Sequence, residues 1–572
     1  MKQEKTYKLI KLSTVILSLF NLLMYFSMRC CWSGISKTLG YEKKYSEFIL
    51  QLPLILFFVL VFVAITNILL FKLKEKHKNK WAFVMLGIDL IFTIAVLVII
   101  LLGAKDYLYF IIPEFIKVCG IAALAMLILF MLFIYPKTTL ANSKAFKYSF
   151  FTLILIILSL YTINFSINKI EYEPVVYVVE DKYQIVFGTT SDALGWVEID
   201  GKRYLDTYAG SEKSYTKVHK IEIPMEILDN AKSYSIHTQR FHYRGPFGAI
   251  KDKEISKDYK FKPVDTTDGI NYYALADIHM EINGSVSAAN YNPDKELLVL
   301  AGDIISMIET HSDAFYTGKV AHELTKGEIP VVYARGNHEI KGKHSEVFYK
   351  YVGSKNENFF YNFKIGNIYG LVLDLGEDHD DDYWEYYGTA DFTSYQREQI
   401  EFLTKEIENE EYKNADYKMV VSHIPLMYIN GRGNHAEIKK EFTSLLNEID
   451  IDIMLSGHQH DLWVFEPNIL TPYEKLTYNE NYKNGTEKGK VTDFNFPAFL
   501  ISKRGLKQND SDKLTQKTQI GLSVIVDFET NTQKVIYNNS NNQKVNMVNP
   551  FANITYGEEI VIDLDTKVFK KK

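Results

Sequence analysis

Hydrophobic positions fall along this chain in three successive patterns. The first is a set of long apolar runs at roughly 9–28, 48–71, 82–104, 118–135 and 148–167. Each is long enough to cross ~30 Å of hydrocarbon as a helix, so residues 1–169 are expected to form a five-span α-helical transmembrane domain. From Glu171 to about Pro263 short apolar and polar pieces alternate, separated by turn pairs such as Asp200-Gly201 and Asp229-Asn230. Regularly spaced short strands of that kind predict a β-sandwich over 170–265, in the role of a spacer. The third pattern is one of short, wholly apolar, β-branched runs at 272–276, 297–301, 330–334, 419–422 and 451–456. These read as buried strands. Residues 396–408 read as an amphipathic helix with Ile400, Leu403 and Ile407 turned inward, and strands return at 498–502 and 520–528.

Charge gives the apolar block an orientation. Lys2, Lys5 and Lys8 precede the first run, Lys72, Lys74, Lys76, Lys78 and Lys80 lie between the second and third, and Lys137, Lys144 and Lys147 between the fourth and fifth. The opposite loops hold Arg29, Lys37, Lys43, Lys44, Lys105 and Lys117. The positive-inside rule then puts the N-terminus in the cytoplasm, and an odd number of spans puts everything after Asn168 outside the cell. The expected location is therefore the plasma membrane, multi-pass. The three cysteines, Cys30, Cys31 and Cys119, all fall in the apolar half, leaving the remainder without disulfides. A net charge of −6 offers no basic face for nucleic acid. Abundant Lys, Asn, Tyr and Ile with little Ala points to an AT-rich bacterial source.

Each short apolar run ends in residues that can hold a metal. They are Asp277-Ile278-His279, Gly302-Asp303, Gly336-Asn337-His338-Glu339, His423 and Gly457-His458-Gln459-His460. Open α/β sheets gather ligands beyond the carboxyl ends of their strands, so five strands would deliver carboxylates, imidazoles and one neutral amide to a single edge. An N/O ligand set without Cys suits Mn²⁺, Zn²⁺, Fe²⁺ or Co²⁺. Two carboxylates against two divalent ions leave a surplus of about two positive charges, which suits a phosphate ester. The other histidines, His219, His237, His242, His311, His322, His344 and His379, lack ligand spacing and read as surface or structural. A second Gly433-Asn434-His435 follows a polar stretch rather than a strand and reads as a loop. The acidic and aromatic stretch 376–387 follows a strand that should end at the same edge, where it could line a substrate cleft.

In order and spacing the five blocks resemble the calcineurin-like metallophosphoesterase family over roughly Asn271 to Trp463. The resemblance implies that Asp277, His279 and His460 hold one divalent metal, that Asn337, His423 and His458 hold a second, and that Asp303 bridges them. It implies hydrolysis of phosphate esters by a metal-activated hydroxide. His338 would protonate the leaving group with Glu339 orienting its imidazole, and Arg335 would contact a phosphate oxygen. Purple acid phosphatases within the family carry a metal-binding Tyr where this chain has Ser306, and usually Gly where it has His279, so an iron–tyrosinate centre is not expected. Some extracellular relatives also place a fibronectin-like sandwich before the catalytic domain.

The expected fold class is thus multidomain. It comprises an α-helical transmembrane block (1–169), a β-sandwich (170–265) and an α/β metallophosphoesterase domain of two mixed sheets flanked by helices (266–572). The expected activity is a membrane-anchored, extracytoplasmic phosphatase or phosphodiesterase acting on a phosphorylated small molecule, nucleotide or lipid/cell-envelope substrate. A non-catalytic membrane receptor that binds a phosphorylated ligand at the metal site is the alternative.

Overall fold

The structure is a computed structural model that describes Val84, Gly87, Ile91 and residues 168–244, 249–430, 435–478, 487–502 and 519–570. The chain divides into two units, Met1–Thr162 and Ile163–Lys572, and apart from those three residues the described ones lie in the second.

Twelve strands carry the framework: β1 (Ile170–Val179), β2 (Lys182–Thr189), β3 (Val218–Pro224), β4 (Gly269–Leu275), β5 (Leu297–Ala301), β6 (Pro330–Ala334), β7 (Ile368–Leu373), β8 (Tyr417–Ser422), β9 (Ile453–Ser456), β10 (Ala498–Leu500), β11 (Ile520–Asp527) and β12 (Thr532–Asn539). The larger sheet runs β12-β11-β4-β5-β6-β1-β2-β3, with short strands at its β12 edge. The smaller runs β7-β8-β9-β10 between two further edge strands. β4, β5 and β6 are mutually parallel, as are β7, β8, β9 and β10. Their carboxyl ends therefore emerge together within each sheet.

Alternation of side chains along each strand builds the layers. Leu297, Val299 and Ala301 of β5 join Met419 and Val421 of β8 in one core between the sheets. Leu298 and Leu300 point the other way, into a cluster with Phe315 and Val320 of helix α1 (His311–Thr325). On the far side Val420 of β8 packs with Leu403 of α2 (Phe392–Ile407) and with Phe442 and Leu446 of α3 (Ala436–Leu446). Strands covered on both faces have no polar side, which is why the sequence runs are wholly apolar. Buried phenols bridge the sheets: Tyr272 and Tyr417 hydroxyls lie 3.0 Å apart, and Tyr417 donates to Gln533 Oε1 at 2.8 Å.

The fold class expected from the sequence, which began with an α-helical transmembrane block, is corrected to a mostly β body. Among the described residues no helix is long and apolar enough to cross a membrane. The longest, α2, has 16 residues, about 24 Å at 1.5 Å per residue, and its outer face is charged. The α-helical transmembrane block, and with it the multi-pass plasma-membrane location, is corrected on that finding, which does not bear on a β-barrel. Apart from Val84, Gly87 and Ile91 of the third, the five apolar runs lie outside the described residues.

The sandwich expected over 170–265 is not a sheet apart. β1 pairs in parallel with β6, at Val176↔Pro330 and Tyr177↔Val331, so β1, β2 and β3 extend the large sheet. Four other strands of that stretch (194–199, 202–205, 233–239 and 255–260) form a four-stranded sheet, and short strands form two hairpin pairs. Val197 and Ile236 of the four-stranded sheet share a core with Ile185 and Ile221. The clue was in β1, where Val175 to Val179 are all buried: an apolar run without true alternation marks an interior strand, not one face of an isolated sandwich.

Candidate metal centre

The site assembles where β4, β5 and β6 of one sheet and β8 and β9 of the other end. Asp277 and His279 follow β4, Asp303 follows β5, Asn337 follows β6, His423 follows β8, and His458 and His460 follow β9. Sharp turns aim them. Asp277, His279, Asp303, His458 and His460 all have positive φ, between 45° and 73°. Non-glycine residues enter that region at a cost and cluster there at functional sites. Backbone bonds hold the turns: Asp277 N–H donates to Gly302 O at 3.0 Å, His279 N–H to Asp303 O at 3.0 Å, and Gly457 N–H to His423 O at 2.8 Å.

Glycine is required where the turns press together. Gly302 has φ +84°, and a Cβ there would stand 2.6 Å from His423 Nδ1. A Cβ on Gly336 would stand 2.2 Å from Asp303 Oδ1 and 2.3 Å from Asp303 N. Gly336→Ala is therefore expected to displace Asp303, costing roughly 1–3 kcal/mol as overpacking does and weakening metal binding. Melting curves with and without added metal would show both losses.

The candidate ligand atoms form two groups that share Asp303. In the first, Asp277, His279, Asp303 and His460 present atoms that all lie within 4.8 Å of one another. His279 Nε2 is 3.2 Å from His460 Nε2 and 3.7 Å from Asp303 Oδ2, while His460 Nε2 is 3.4 Å from Asp277 Oδ1. In the second, His423 Nε2 is 3.2 Å from the same Asp303 Oδ2, and His458 Nδ1 is 3.2 Å from Asn337 Oδ1.

These side chains fit a pair of cations. His423 Nδ1 bonds Ala301 O at 2.8 Å, and its Nε2 is buried without a hydrogen-bond partner. An orphaned imidazole nitrogen facing a carboxylate is what a ligand looks like. Burial favours neutral His423, yet Asp303 and then Asp277 pull it up to about 10. Burial opposes ionisation of Asp303, but His423 holds its carboxyl well below the usual range. The carboxylates thus call for positive charge at this point. Burial brings His279 down to about 4, so it is a free base, the form that binds a metal.

Two residues near this centre behave otherwise than the sequence suggested. Glu339 does not touch the His338 ring, whose Nδ1 bonds Ser306 O at 2.9 Å. Its buried carboxylate instead accepts from the N–H groups of Asp303 (2.9 Å), Ile304 (2.6 Å), Ile305 (3.2 Å) and Gly336 (2.8 Å). It ties the turn after β5 to the turn after β6. Burial, then the nearby Asp303, raises its carboxyl to about 7. Glu339→Ala would leave four buried N–H groups unpaired, at roughly 1–3 kcal/mol each before relaxation. A loss of about 3 kcal/mol or more is expected by urea denaturation. Arg335 is taken up by Asp374 Oδ2, with Nε at 2.8 Å and Nη2 at 2.7 Å, and it stacks over Phe359. Its fork supports the end of β7.

The sequence reading missed the chemistry of Glu377 and Asp378. Both are buried, with Glu377 beside Asn337 and Asp378 beside His458. They belong to no motif, and the only signal was that their strand ends at the same edge. Asp378 is held ionised, below the usual range, because the His458 bond and charge outweigh its burial. His435 bonds the backbone O of His379 at 2.7 Å, so the second G-N-H block leans on this loop, while Gly433 and Asn434 lie outside the described residues. His219 is buried against Asp206 at 3.2 Å, and His379 stacks on Tyr383.

Residues 270–462 match the family described as calcineurin-like phosphoesterase. No curated protein matches the chain. Among solved structures it is similar to a purple acid phosphatase from yellow lupin (Lupinus luteus) seeds, at 13% identity and a TM-score of 0.43 over 69% of this chain and 75% of that one. It is also similar to a dimetal phosphatase from Danio rerio, at 11% identity and a TM-score of 0.31 over 52% of this chain and 100% of that one. A third is GAP50, the anchor in the inner membrane complex of Plasmodium, at 11% identity and a TM-score of 0.31 over 50% and 88%. These likenesses are distant, whereas the family match spans every ligand block from Asp277 to His460. Residues 270–462 are a calcineurin-like phosphoesterase domain, and the chain is a metal-dependent phosphoester hydrolase.

Proposed function

We propose that Asp277, His279, Asp303 and His460 hold one divalent ion, that Asp303, Asn337, His423 and His458 hold a second, and that the pair hydrolyses anionic phosphate esters. The observation that carries this reading is the sharing of one oxygen, Asp303 Oδ2, by His423 Nε2 at 3.2 Å and His279 Nε2 at 3.7 Å. When bound, the ions supply Lewis-acid charge for phosphoryl oxygens and a water of lowered pKa. The oxygen and nitrogen ligands suit Mn²⁺, Zn²⁺, Fe²⁺ or Co²⁺.

The remaining chemistry belongs to His338. Its backbone N–H donates to Asp303 Oδ1 at 3.0 Å, and its Nδ1 is fixed on Ser306 O. Nε2 is left 3.9 Å from Asp303 Oδ2 on a side chain one-third exposed. From there it can donate a proton to the departing alkoxide, a role that suits imidazole near neutral pH. The substrate is a phosphorylated small molecule, a nucleotide or a lipid phosphate.

The test is an assay of the full-length protein on chromogenic phosphate monoesters and diesters after treatment with chelator. Hydrolysis is expected only when Mn²⁺, Zn²⁺, Fe²⁺ or Co²⁺ is returned. Turnover unaffected by chelation would overturn the proposal.

A further inference from the structure

The loop after β7 brings two buried carboxylates against two neutral ligands of the second site. Neutral ligands carry an ambiguity that carboxylates lack. An Asn amide has one accepting end and one donating end, and an imidazole has two tautomers, so each can be presented the wrong way round. Glu377 removes the ambiguity for Asn337. It accepts from Asn337 Nδ2 at 3.1 and 3.3 Å, which turns Oδ1 away to lie 3.2 Å from His458 Nδ1. Asp378 does the same for His458: its Oδ2 lies 3.3 Å from His458 Nε2. A carboxylate there accepts the Nε2 proton and leaves the Nδ1 lone pair free beside Asn337 Oδ1. His423, in the same site, is set by Ala301 O on Nδ1, which frees its Nε2.

The two carboxylates are themselves fixed. Glu377 accepts from the Tyr386 hydroxyl and, at 2.9 Å, from the N–H of Asp378. Asp378 accepts from Asn430 Nδ2 at 2.6 Å. Lys341 stands 4.0 Å from Glu377 and pairs with Glu385 of the same loop at 2.7 Å.

We infer that Glu377 and Asp378 are the positioning residues of the second metal site, setting its affinity by fixing the amide orientation of Asn337 and the tautomer of His458. This rests on the two-metal reading above. Outer partners of metal ligands are typically worth 10–100-fold in metal affinity. The loop is therefore where this chain sets the hold on one ion independently of the other.

The experiment is a Mn²⁺ titration of the full-length protein, with free ion followed by electron paramagnetic resonance. It compares wild type with Glu377→Gln, Asp378→Asn and Asp378→Leu, each checked for folding by its melting curve. The wild type should bind two ions. Asp378→Leu should weaken the second about 10–100-fold and leave the first unchanged. Glu377→Gln and Asp378→Asn, which each keep one accepting oxygen, should fall between wild type and Asp378→Leu. Adding Asn337→Asp to Glu377→Gln should restore the second ion, because a carboxylate at 337 has no wrong end and the amide introduced by Glu377→Gln can donate to it. That rescue would not follow from a merely structural role. Two ions held as tightly in every variant, or both weakened together, would overturn the inference alone. A wild type that holds fewer than two ions would remove the two-metal reading and the inference with it.

Discussion

Asp303→Asn loosens both metals at once, each by more than about 100-fold, the upper end of what losing a mere outer partner costs. The reason is the double duty of one carboxylate. Oδ2 lies within reach of His423 Nε2 and His279 Nε2, which belong to different ligand groups, while Oδ1 accepts from the N–H of His338. Asparagine keeps the shape but replaces one oxygen with a donor and removes a buried negative charge. The metal-free fold should survive, because the Asp303 backbone is held by Glu339. Equilibrium dialysis with metal analysis checks the first half, and a melting curve in chelator checks the second. Loss of one ion with the other retained would show that Asp303 does not bridge.

His338→Ala should separate chemistry from binding. It leaves both ligand groups intact, so two ions are still expected by the same dialysis. Turnover should fall about 10²–10⁴-fold, the usual worth of proton transfer to a leaving group. The deficit should shrink for esters of acidic phenols, which depart without a proton, and should be largest for alkyl esters. That dependence on leaving group is the sharper half of the expectation, since a general loss of shape would slow all esters alike. Equal loss of metal in Asp303→Asn and His338→Ala would contradict the division of roles.

How much of this was legible in the sequence depended on whether a residue's task is set by its neighbours in the chain or across the fold. The ligand blocks were readable because each ends a wholly apolar strand, and the chain ends of parallel strands converge. The need for glycine at 302 and 336 was not readable in this way, because the crowding comes from His423 and Asp303 across the fold. Glu339 was misjudged because adjacency to His338 suggested a partnership, whereas a turn sends its carboxylate inward to four backbone N–H groups. Arg335 likewise turns to a partner distant in the chain, Asp374, just past the end of β7. The charge count suffered too. Asp277 and Asp303 alone gave a surplus of about two positive charges, but the buried Glu377 and Asp378 reduce it. The run at β1 looked like the start of a separate sandwich, because nothing local says that Val176 will pair with Pro330. Among the described residues no helix is long and apolar enough to cross a membrane, and all but three residues of the N-terminal apolar runs lie outside them.

The central claim is that two ions, and not one, make this centre a phosphoester hydrolase. The most direct measurement is to strip the full-length protein of metal and return Mn²⁺ in fractional equivalents, following bound ion and hydrolysis of a chromogenic ester in the same sample. The account expects little activity through the first equivalent, a rise through the second and a plateau beyond two. Full activity at one equivalent, or two bound ions with no hydrolysis of any ester, would contradict it.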